Sequence, residues 1–267
     1  MHSRFAVSNI AWSRHDDPVV LSLLKRYGVA GIEVAPTKIW PGWIGATPEN
    51  AADYRDHLLA QGFQIPALQA ILFGKPDLNV FDPLTHPAFL DHIKLVSSLA
   101  EALHAQVLVF GAPKNRRRGD IPMKEAMEQA SEFLGQLGEI CLAHNCILGI
   151  EPNPPAYQCD FVNTVSEAVD LVEMTGSPGV KLHLDSGATK MNAENLAEII
   201  GQNSFVHYHI SEPGLARIGT GGVDHKTALN ALKNKGYDRW ISVEMRQAEP
   251  EIQNLEDALS YLVGSMA

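Results

Sequence analysis

The sequence has 267 residues, an apolar fraction of 45% and a formal net charge of −10. A chain of this length can bury a full core, and its negative charge disfavours nucleic acid as a main partner. No apolar run approaches the roughly 20 residues of a membrane span, and the N-terminus lacks the pattern of a signal peptide. Three cysteines without a CxxC spacing predict neither a disulfide framework nor a zinc finger. We therefore expect a cytoplasmic globular protein with reduced, mostly buried thiols and no membrane partner.

Helix signals are spread along the whole chain. Asp17 as a cap and Pro18 in the first turn predict a helix that stops at Gly28, which is the usual placement of proline and glycine at helix ends. Thr164 and Glu167 predict a capping box at the start of a later helix. Further helices are predicted at 87–104 and 121–144, from about Asp224 to Gly236, and from about Glu251 to Leu262.

Strand signals alternate with the helices. The apolar runs that predict strands lie at 4–10, 29–35, 65–71, 106–111, 147–151, 180–185, 205–210 and 240–244. Their centres are about 34 residues apart, which is the length of one βα unit. No linker or charge block divides the chain, so we expect a single domain over residues 1–267 with the α/β fold of a (β/α)8 TIM barrel. A doubly wound open sheet is the alternative, but no glycine-rich phosphate loop follows the first strand.

Potential metal ligands stand where several predicted strands end. Glu151, Asp185, His209 and Glu244 close the runs at strands five to eight. In a TIM barrel these ends meet at one mouth, where the active site lies. Each residue alone could be a helix cap or a partner for arginine. Together, however, buried carboxylates raise one another's pKa, and a divalent cation relieves this repulsion. Three carboxylates and one imidazole suit Mn²⁺ or Mg²⁺, with Co²⁺ possible, so we expect one such ion here.

Three further residues are predicted close to this site. His207 and His183 each precede a predicted ligand by two positions, so each points to the same side of its strand one layer deeper. We expect His207 to be an interior histidine that supports the metal site, and His183 to be an interior, hydrogen-bonded histidine or a substrate contact. Glu33, at the end of strand two, is expected to support a ligand or contact substrate, with a structural ion pair as the alternative.

Two loops on the mouth side carry the remaining candidates. The stretch "PKNRRRGD" at 113–120 follows strand four, and its Lys114 and Arg116 predict a site for an anionic part of a substrate. A solvated basic loop is the alternative. Glu212 and Arg217 lie in the loop after strand seven and are candidate substrate contacts, with Glu212 expected either to orient a ligand or to pair with Arg217.

Four motifs carry a resemblance to a known family. "GIEPNPP", "LHLDSG", "HYHISEPG" and "ISVEM" resemble the xylose isomerase-like TIM-barrel superfamily, in its sugar isomerase and epimerase branch, near relatives of D-tagatose 3-epimerase and hydroxypyruvate isomerase. The resemblance covers nearly the whole chain as strand–helix order. It implies Glu151, Asp185, His209 and Glu244 as ligands, most commonly of Mn²⁺, and a homo-oligomer. It also implies that Glu151 and Glu244 transfer a proton through a metal-bound enediolate of a sugar or sugar phosphate.

The chain departs from ketose 3-epimerases at positions that hold the sugar. Ala188 stands where they usually have a substrate-binding histidine, and Tyr157 stands where they usually have a glutamate. The expected function is therefore a metal-dependent isomerase or epimerase whose sugar, possibly anionic, is left open. One alternative is a dehydratase or other lyase acting on a keto-acid or keto-cyclitol. Another is an endonuclease IV-like repair enzyme, which Ala188 and the net charge oppose, and the last is a non-catalytic barrel.

Overall fold

A ring of eight parallel strands forms the centre of the molecule. The computed structural model describes residues 4–266. The strands are β1 (Phe5–Ser8), β2 (Gly31–Glu33), β3 (Ala67–Leu68), β4 (Val107–Phe110), β5 (Ile147–Ile150), β6 (Val180–Asp185), β7 (His207–Ile210) and β8 (Ile241–Val243). They pair in the order β2-β1-β8-β7-β6-β5-β4-β3, and isolated parallel bridges, Gly31 to Gln64 and Val34 to Leu68, close the ring between β2 and β3. The predicted single-domain (β/α)8 TIM barrel is confirmed.

Helices connect the strands. They are α1 (Asp17–Arg26), α2 (Pro36–Ile39), α3 (Pro48–Ala60), α4 (His86–Leu103), α5 (Met123–Ala143), α6 (Val165–Thr175), α7 (Ser186–Met191), α8 (Leu196–Gln202), α9 (His225–Lys235) and α10 (Glu251–Met266). The capping box of Thr164 and Glu167 is confirmed. At α1 the N-cap is Asp16 rather than the predicted Asp17, and the Asp16 side chain makes no capping hydrogen bond. The Asp17 carboxylate instead accepts a hydrogen bond from the Trp12 indole at 2.7 Å. In the part of the chain that the structure describes, no helix is long and apolar enough to cross a membrane.

The barrel interior differs from the layer between sheet and helices. Outward-facing strand residues such as Leu108 and Leu184 join one large apolar cluster with the helices. The three cysteines are buried and unpaired, as expected. Inside the barrel, Ala67, Val107, Val109 and Val206 form a small apolar cluster, and buried histidines occupy the side of β6 and β7. The interior therefore has an apolar side and a polar side.

Strand register explains how the histidines stack. In the pairing of β6 with β7, His183 lies opposite His207, and Asp185 lies opposite His209. Because side chains on a strand alternate between its faces, these four residues point into the barrel in two layers. Gly149 on β5 leaves room for His183, since a Cβ at position 149 would lie 3.2 Å from His183 Cβ and 3.3 Å from Val107 Cγ1. The layer with Asp185 and His209 lies at the carboxyl ends of the strands.

Candidate metal centre

The four predicted ligands meet in one cluster at the carboxyl end of the barrel. One potential ligand atom from each of Glu151, Asp185, His209 and Glu244 lies within 4.8 Å of the others. The His209 Nδ1 atom is 3.1 Å from Glu244 Oε2, 3.8 Å from Asp185 Oδ2 and 3.9 Å from Glu151 Oε1. His209 is buried completely, and the three carboxylates are almost buried. The structure thus brings together all four residues that the strand ends suggested.

The electrostatics of the cluster favour a bound cation. Burial, followed by repulsion from Asp185 and Glu244, raises the pKa of Glu151 to about 8. Burial and the Glu244 charge likewise raise the pKa of Asp185 to about 6. Three carboxylates this close cannot all stay ionised near neutral pH without compensating positive charge. Oxygen donors with one imidazole nitrogen are a fitting donor set for a hard or borderline divalent ion, so these residues fit the expected metal.

Asp185 is held in place by short hydrogen bonds that the sequence did not reveal. Its Oδ2 atom accepts from the Ser211 hydroxyl at 2.5 Å, and its Oδ1 atom accepts from the Ala188 backbone N–H at 2.6 Å. The Ser211 backbone N–H in turn donates to the Ser186 hydroxyl at 2.8 Å. These bonds fix the carboxylate beside His209. The sequence does place Ser211 directly after the strand with His207 and His209. A serine at a strand end is, however, as common in an ordinary loop as in a hydrogen bond to a metal ligand.

Glu33 connects β2 to both histidines of β7 through the barrel interior. Its two carboxylate oxygens accept hydrogen bonds from His207 Nε2 at 2.7 Å and from His209 Nε2 at 2.8 Å. Burial alone would raise the pKa of Glu33, but the two histidines offset it and hold the pKa well below its usual range. With Nε2–H of His209 directed at Glu33, Nδ1 is the nitrogen that faces the carboxylates. The structure thus places Glu33 and His207 behind the cluster, in contact with a predicted ligand.

The charges around His209 favour its doubly protonated, positively charged form when no cation is present. Burial lowers its pKa, but the charges of Glu33 and Glu244 outweigh this and raise the pKa well above its ordinary value. A metal ion at Nδ1 must displace the proton from that atom, because metal ligands bind in the deprotonated form. The bond to Glu33 leaves the Nε2 proton in place, so one tautomer is prepared for metal binding.

His183 lies beside the cluster without a hydrogen bond. It is fully buried, and neither ring nitrogen has a hydrogen-bond partner among residues 4–266. Its Nε2 atom is 3.7 Å from Glu151 Oε1, and its ring contacts His209 edge-on at 4.2 Å between centroids. Burial, and next the neighbouring histidines, lowers the pKa of His183 well below its ordinary value, so the ring is neutral. The expected interior position is found, whereas the expected hydrogen bond is not.

A cavity of about 820 Å³ opens directly above the cluster. Glu151, Asp185 and Glu244 lie at its floor, and Tyr157 and Ala188 also line it. The Tyr157 hydroxyl accepts a hydrogen bond from the Gly214 backbone N–H at 2.8 Å, which joins the loops after β5 and β7. Much of the wall is apolar and consists of Ile10, Ile71, Leu72, Phe73, Val109, Ala112 and Leu215. The volume is in the range of small-molecule sites.

The two predicted anion-binding residues of the loop after β4, Lys114 and Arg116, lie in different places. Lys114 lines the cavity. Arg116 does not: it is buried, and its Nη2 atom donates to the Glu151 backbone oxygen at 2.7 Å. The short 3₁₀ turn Pro113–Arg116 places these two side chains in different environments. The prediction that Arg116 faces a substrate therefore does not match its position, which is beneath the floor of the cavity.

Glu212 and Arg217 do not pair with each other. The Glu212 carboxylate is fully buried and accepts hydrogen bonds from the backbone N–H groups of Gly219 at 2.8 Å and Val223 at 3.1 Å, and from His225 Nε2 at 3.1 Å. Arg217 forms an ion pair with Asp257. Neither residue lines the cavity of about 820 Å³, so the position of Glu212 suits stabilisation of the loop after β7 rather than contact with a ligand.

Comparisons with known proteins agree with this architecture. Over 245 residues, the chain is 25% identical to an inosose isomerase from Bacillus velezensis, covering 86% of this chain and 83% of that protein. The structure superposes on 3-keto-D-glucoside 4-epimerase from E. coli with a TM-score of 0.80 at 17% identity, covering 98% and 99% of the two chains. It also superposes on a zinc-bound IolI protein with a TM-score of 0.73 at 19% identity, covering 98% and 96%. The model of the xylose isomerase-like TIM barrel family matches residues 21–263, and the chain belongs to that family.

Proposed function

We propose that this protein is a divalent-metal-dependent isomerase or epimerase that acts on a sugar or sugar derivative. The observation that carries the proposal is the buried set of three carboxylates and one imidazole at the floor of a cavity of about 820 Å³. An inosose isomerase and a 3-keto-D-glucoside 4-epimerase among the similar proteins support the same reaction class. Mn²⁺ is the proposed ion. Because IolI is described with zinc, Zn²⁺ belongs among the metals to be tested beside Mg²⁺ and Co²⁺.

In this proposal the chain's own carboxylates move the proton. A bound divalent ion would polarise a substrate carbonyl and so acidify the neighbouring C–H. Glu151 and Glu244 line the cavity floor, and each carboxylate has a second oxygen that can face the substrate. One of them takes the proton from the carbon beside the carbonyl, and the other returns it at the same or the adjacent carbon. Proton transfer by positioned groups of this kind contributes roughly 10²- to 10⁴-fold to the rate.

Other residues hold this arrangement and exclude water. Asp185 and His209 complete the donor set, and Ser211 and Glu33 fix their orientation. The apolar wall that includes Val109 and Leu215 keeps bulk water from the reacting carbons, which strengthens the electrostatic effect of the charged floor. Without a cation, burial and the neighbouring carboxylates raise the pKa of Glu151 to about 8, and a bound cation would lower that pKa and leave Glu151 as the carboxylate that accepts a proton.

The test combines metal content with solvent exchange. Wild-type protein is loaded with Mn²⁺, Mg²⁺, Co²⁺ or Zn²⁺ and incubated in D₂O with inososes, 3-keto-glucosides, ketoses and ketose phosphates. We expect about one ion per chain and deuterium incorporation next to a carbonyl, reduced at least 10²-fold in Glu244→Gln and in Glu151→Gln. Glu101→Gln is the matched control, because Glu101 accepts a hydrogen bond from a histidine, His144 Nδ1, at the exposed surface at 2.8 Å.

Each other outcome changes the assignment. Loss of water from the substrate after deuterium exchange would indicate a dehydratase or lyase at the same site. Three zinc ions per chain with cleavage of abasic DNA would indicate a nuclease. A chain that binds no divalent ion, or exchange that survives Glu244→Gln at the wild-type rate, would refute the proposed proton transfer.

A further inference from the structure

Two lysines stand at the wall of the cavity without a partner. Lys75 in the loop after β3 and Lys114 in the loop after β4 both line the cavity that has the carboxylate cluster at its floor. Neither ammonium group forms an ion pair or a side-chain hydrogen bond within the part of the chain that the structure describes. By contrast, Arg118 of the same basic stretch is bonded to the Asp160 backbone oxygen and to the Ile121 backbone oxygen. The cavity therefore has two unneutralised positive charges on one wall.

The backbone holds these two lysines in neighbouring positions. Asn115, which follows Lys114, is buried, and its amide donates to the Lys75 backbone oxygen and to the Leu78 backbone oxygen, both at 2.7 Å. The Val80 N–H donates back to the Asn115 backbone oxygen at 2.8 Å. The loop after β3 is thus fastened to the loop after β4 at Lys75 and at Asn115, the residue that follows Lys114. Two positive charges that line one cavity without a carboxylate partner raise the electrostatic potential there, and this favours an anion in that part of the cavity.

Backbone strain occurs in the same two loops. Ala70 and Ala112 both line the cavity, and they adopt φ angles of +51° and +36° in the left-handed region that disfavours alanine. Ala70 begins the stretch that leads to Lys75, and Ala112 begins the stretch that leads to Lys114. Strain of this kind persists where the surrounding structure enforces it and is common at ligand sites. Here it accompanies the turns that carry the two lysines.

The rest of the cavity suits a substrate whose polar groups lie at its two ends. Ile71, Leu72, Val109 and Leu215 form apolar wall, and hydroxyl groups placed against them would lose hydrogen bonds to water. Because the whole chain carries a charge of −10, its overall field repels anions. An anionic ligand therefore needs a local positive site, and Lys75 and Lys114 supply one on a wall separate from the carboxylates of the floor.

We propose that Lys75 and Lys114 bind a carboxylate or phosphate group of the substrate, remote from the carbons that react over the carboxylate cluster. The inference rests on the proposed function and deepens it, because it makes the substrate an anionic sugar derivative. The sequence pointed to an anion site at Lys114 and Arg116. The structure keeps Lys114 at the cavity, replaces Arg116 with Lys75, and so combines two loops that are distant in sequence.

The experiment compares one ketose in three charge states. D-fructose, D-fructose 6-phosphate and D-fructuronate are titrated calorimetrically into the Mn²⁺-loaded protein, and deuterium exchange from D₂O is measured with each. We expect at least one anionic ketose to bind tenfold or more tightly than fructose. In the Lys75→Gln/Lys114→Gln double variant this preference should disappear through weaker binding of the anion, while fructose binding stays unchanged. Lys124→Gln is the control, because Lys124 is a highly exposed lysine on α5 near Glu128.

The outcomes separate this inference from the proposed function. A preference for the phosphate or for the uronate identifies which anion the site takes. Equal binding of all three ketoses, absence of binding by both anions, or an anion preference that survives in the double variant overturns the inference, even if deuterium exchange with a neutral ketose upholds the isomerase. Binding of an anion that depends on the lysines, without deuterium exchange at any metal loading, would uphold the anion site and refute the proposed reaction.

Discussion

Replacing Glu33 with glutamine should weaken metal binding without removing any predicted ligand. The Glu33 carboxylate presents two acceptor oxygens, one to His207 Nε2 and one to His209 Nε2. Glutamine has one acceptor oxygen and one NH₂ donor, so one of the two imidazole N–H groups must lose its acceptor or change its tautomer. If His209 changes, its proton moves to Nδ1, the atom that faces the carboxylates.

The expected loss of metal affinity follows from the role of Glu33 as a hydrogen-bond partner of a predicted ligand. Loss of a group that orients a metal-ligating histidine typically lowers metal affinity 10- to 100-fold, which corresponds to about 1.4 to 2.8 kcal/mol. The assay is competition for Mn²⁺ against a chelator of known affinity, on folded protein. Glu212→Gln is the matched control, because Glu212 is also fully buried and bonded to a histidine, His225, but does not contact the cluster. The control should lose stability and keep its metal affinity.

Two results would refute this reasoning about Glu33. One is unchanged Mn²⁺ affinity in a Glu33→Gln protein with the wild-type circular dichroism spectrum. The other is an equal loss of affinity in Glu212→Gln, which would show that loss of any buried carboxylate of this barrel weakens the site through general destabilisation.

Three further changes test the packing and charge of the same region. Gly111→Ala would place a Cβ inside contact distance of Glu151 Oε2 and should reduce Mn²⁺ affinity at least tenfold. Gly135→Ala is the control, because a Cβ there would lie 3.7 Å from its nearest neighbour, and it should leave Mn²⁺ affinity unchanged. Equal affinities of the two variants would contradict this. Asn115→Ala leaves two backbone carbonyls of the loop after β3 without their donor and should lower the free energy of unfolding by about 1–3 kcal/mol in urea titrations. Because burial first, then the neighbouring carboxylates, raises the pKa of Glu151 to about 8, the metal-free fold binds a proton that the unfolded chain releases at lower pH. The stability should therefore fall as pH rises from the ordinary carboxyl pKa of 4.5 to about 8 and level off above that. Glu151→Gln should flatten this dependence between these two pH values, and an unchanged slope would contradict the cause.

The fold and the four predicted ligands were accessible to sequence reasoning because both depend on local patterns. Regular spacing of apolar runs sets the number of βα units, and a parallel barrel necessarily brings the ends of its strands to one mouth. Asp185 and His209 were found this way, and the register that places them opposite each other follows from the same parallel arrangement. No long-range information was needed beyond the barrel itself.

The remaining features depend on contacts that no local pattern encodes. Lys75 is a single lysine in a loop, and the hydrogen bonds between Asn115 and the backbone of that loop bring Lys75 to the same part of the cavity as Lys114. Arg116 stands in a run of three arginines, and its burial follows from its place in the 3₁₀ turn Pro113–Arg116 rather than from its residue type. The two hydrogen bonds of Glu33 depend on the distance across the barrel between β2 and β7. That distance cannot be read from the sequence, in which Glu33 and His207 are 174 residues apart.

The weakest seam of the barrel adjoins Glu33. Between β2 and β3, only two isolated bridges close the ring, and Glu33 lies on β2 at that seam while its carboxylate is bonded to β7. A ligand that binds only the folded form stabilises every contact on which its site depends. Occupancy at His209 should thus be transmitted to the seam, and the backbone amides of Val34 and Gln69, which donate hydrogen bonds across it, should exchange with solvent deuterium more slowly once the ion is bound. The cation would then stabilise the closure of the barrel between β2 and β3, because it holds Glu33 of β2 in place through His209.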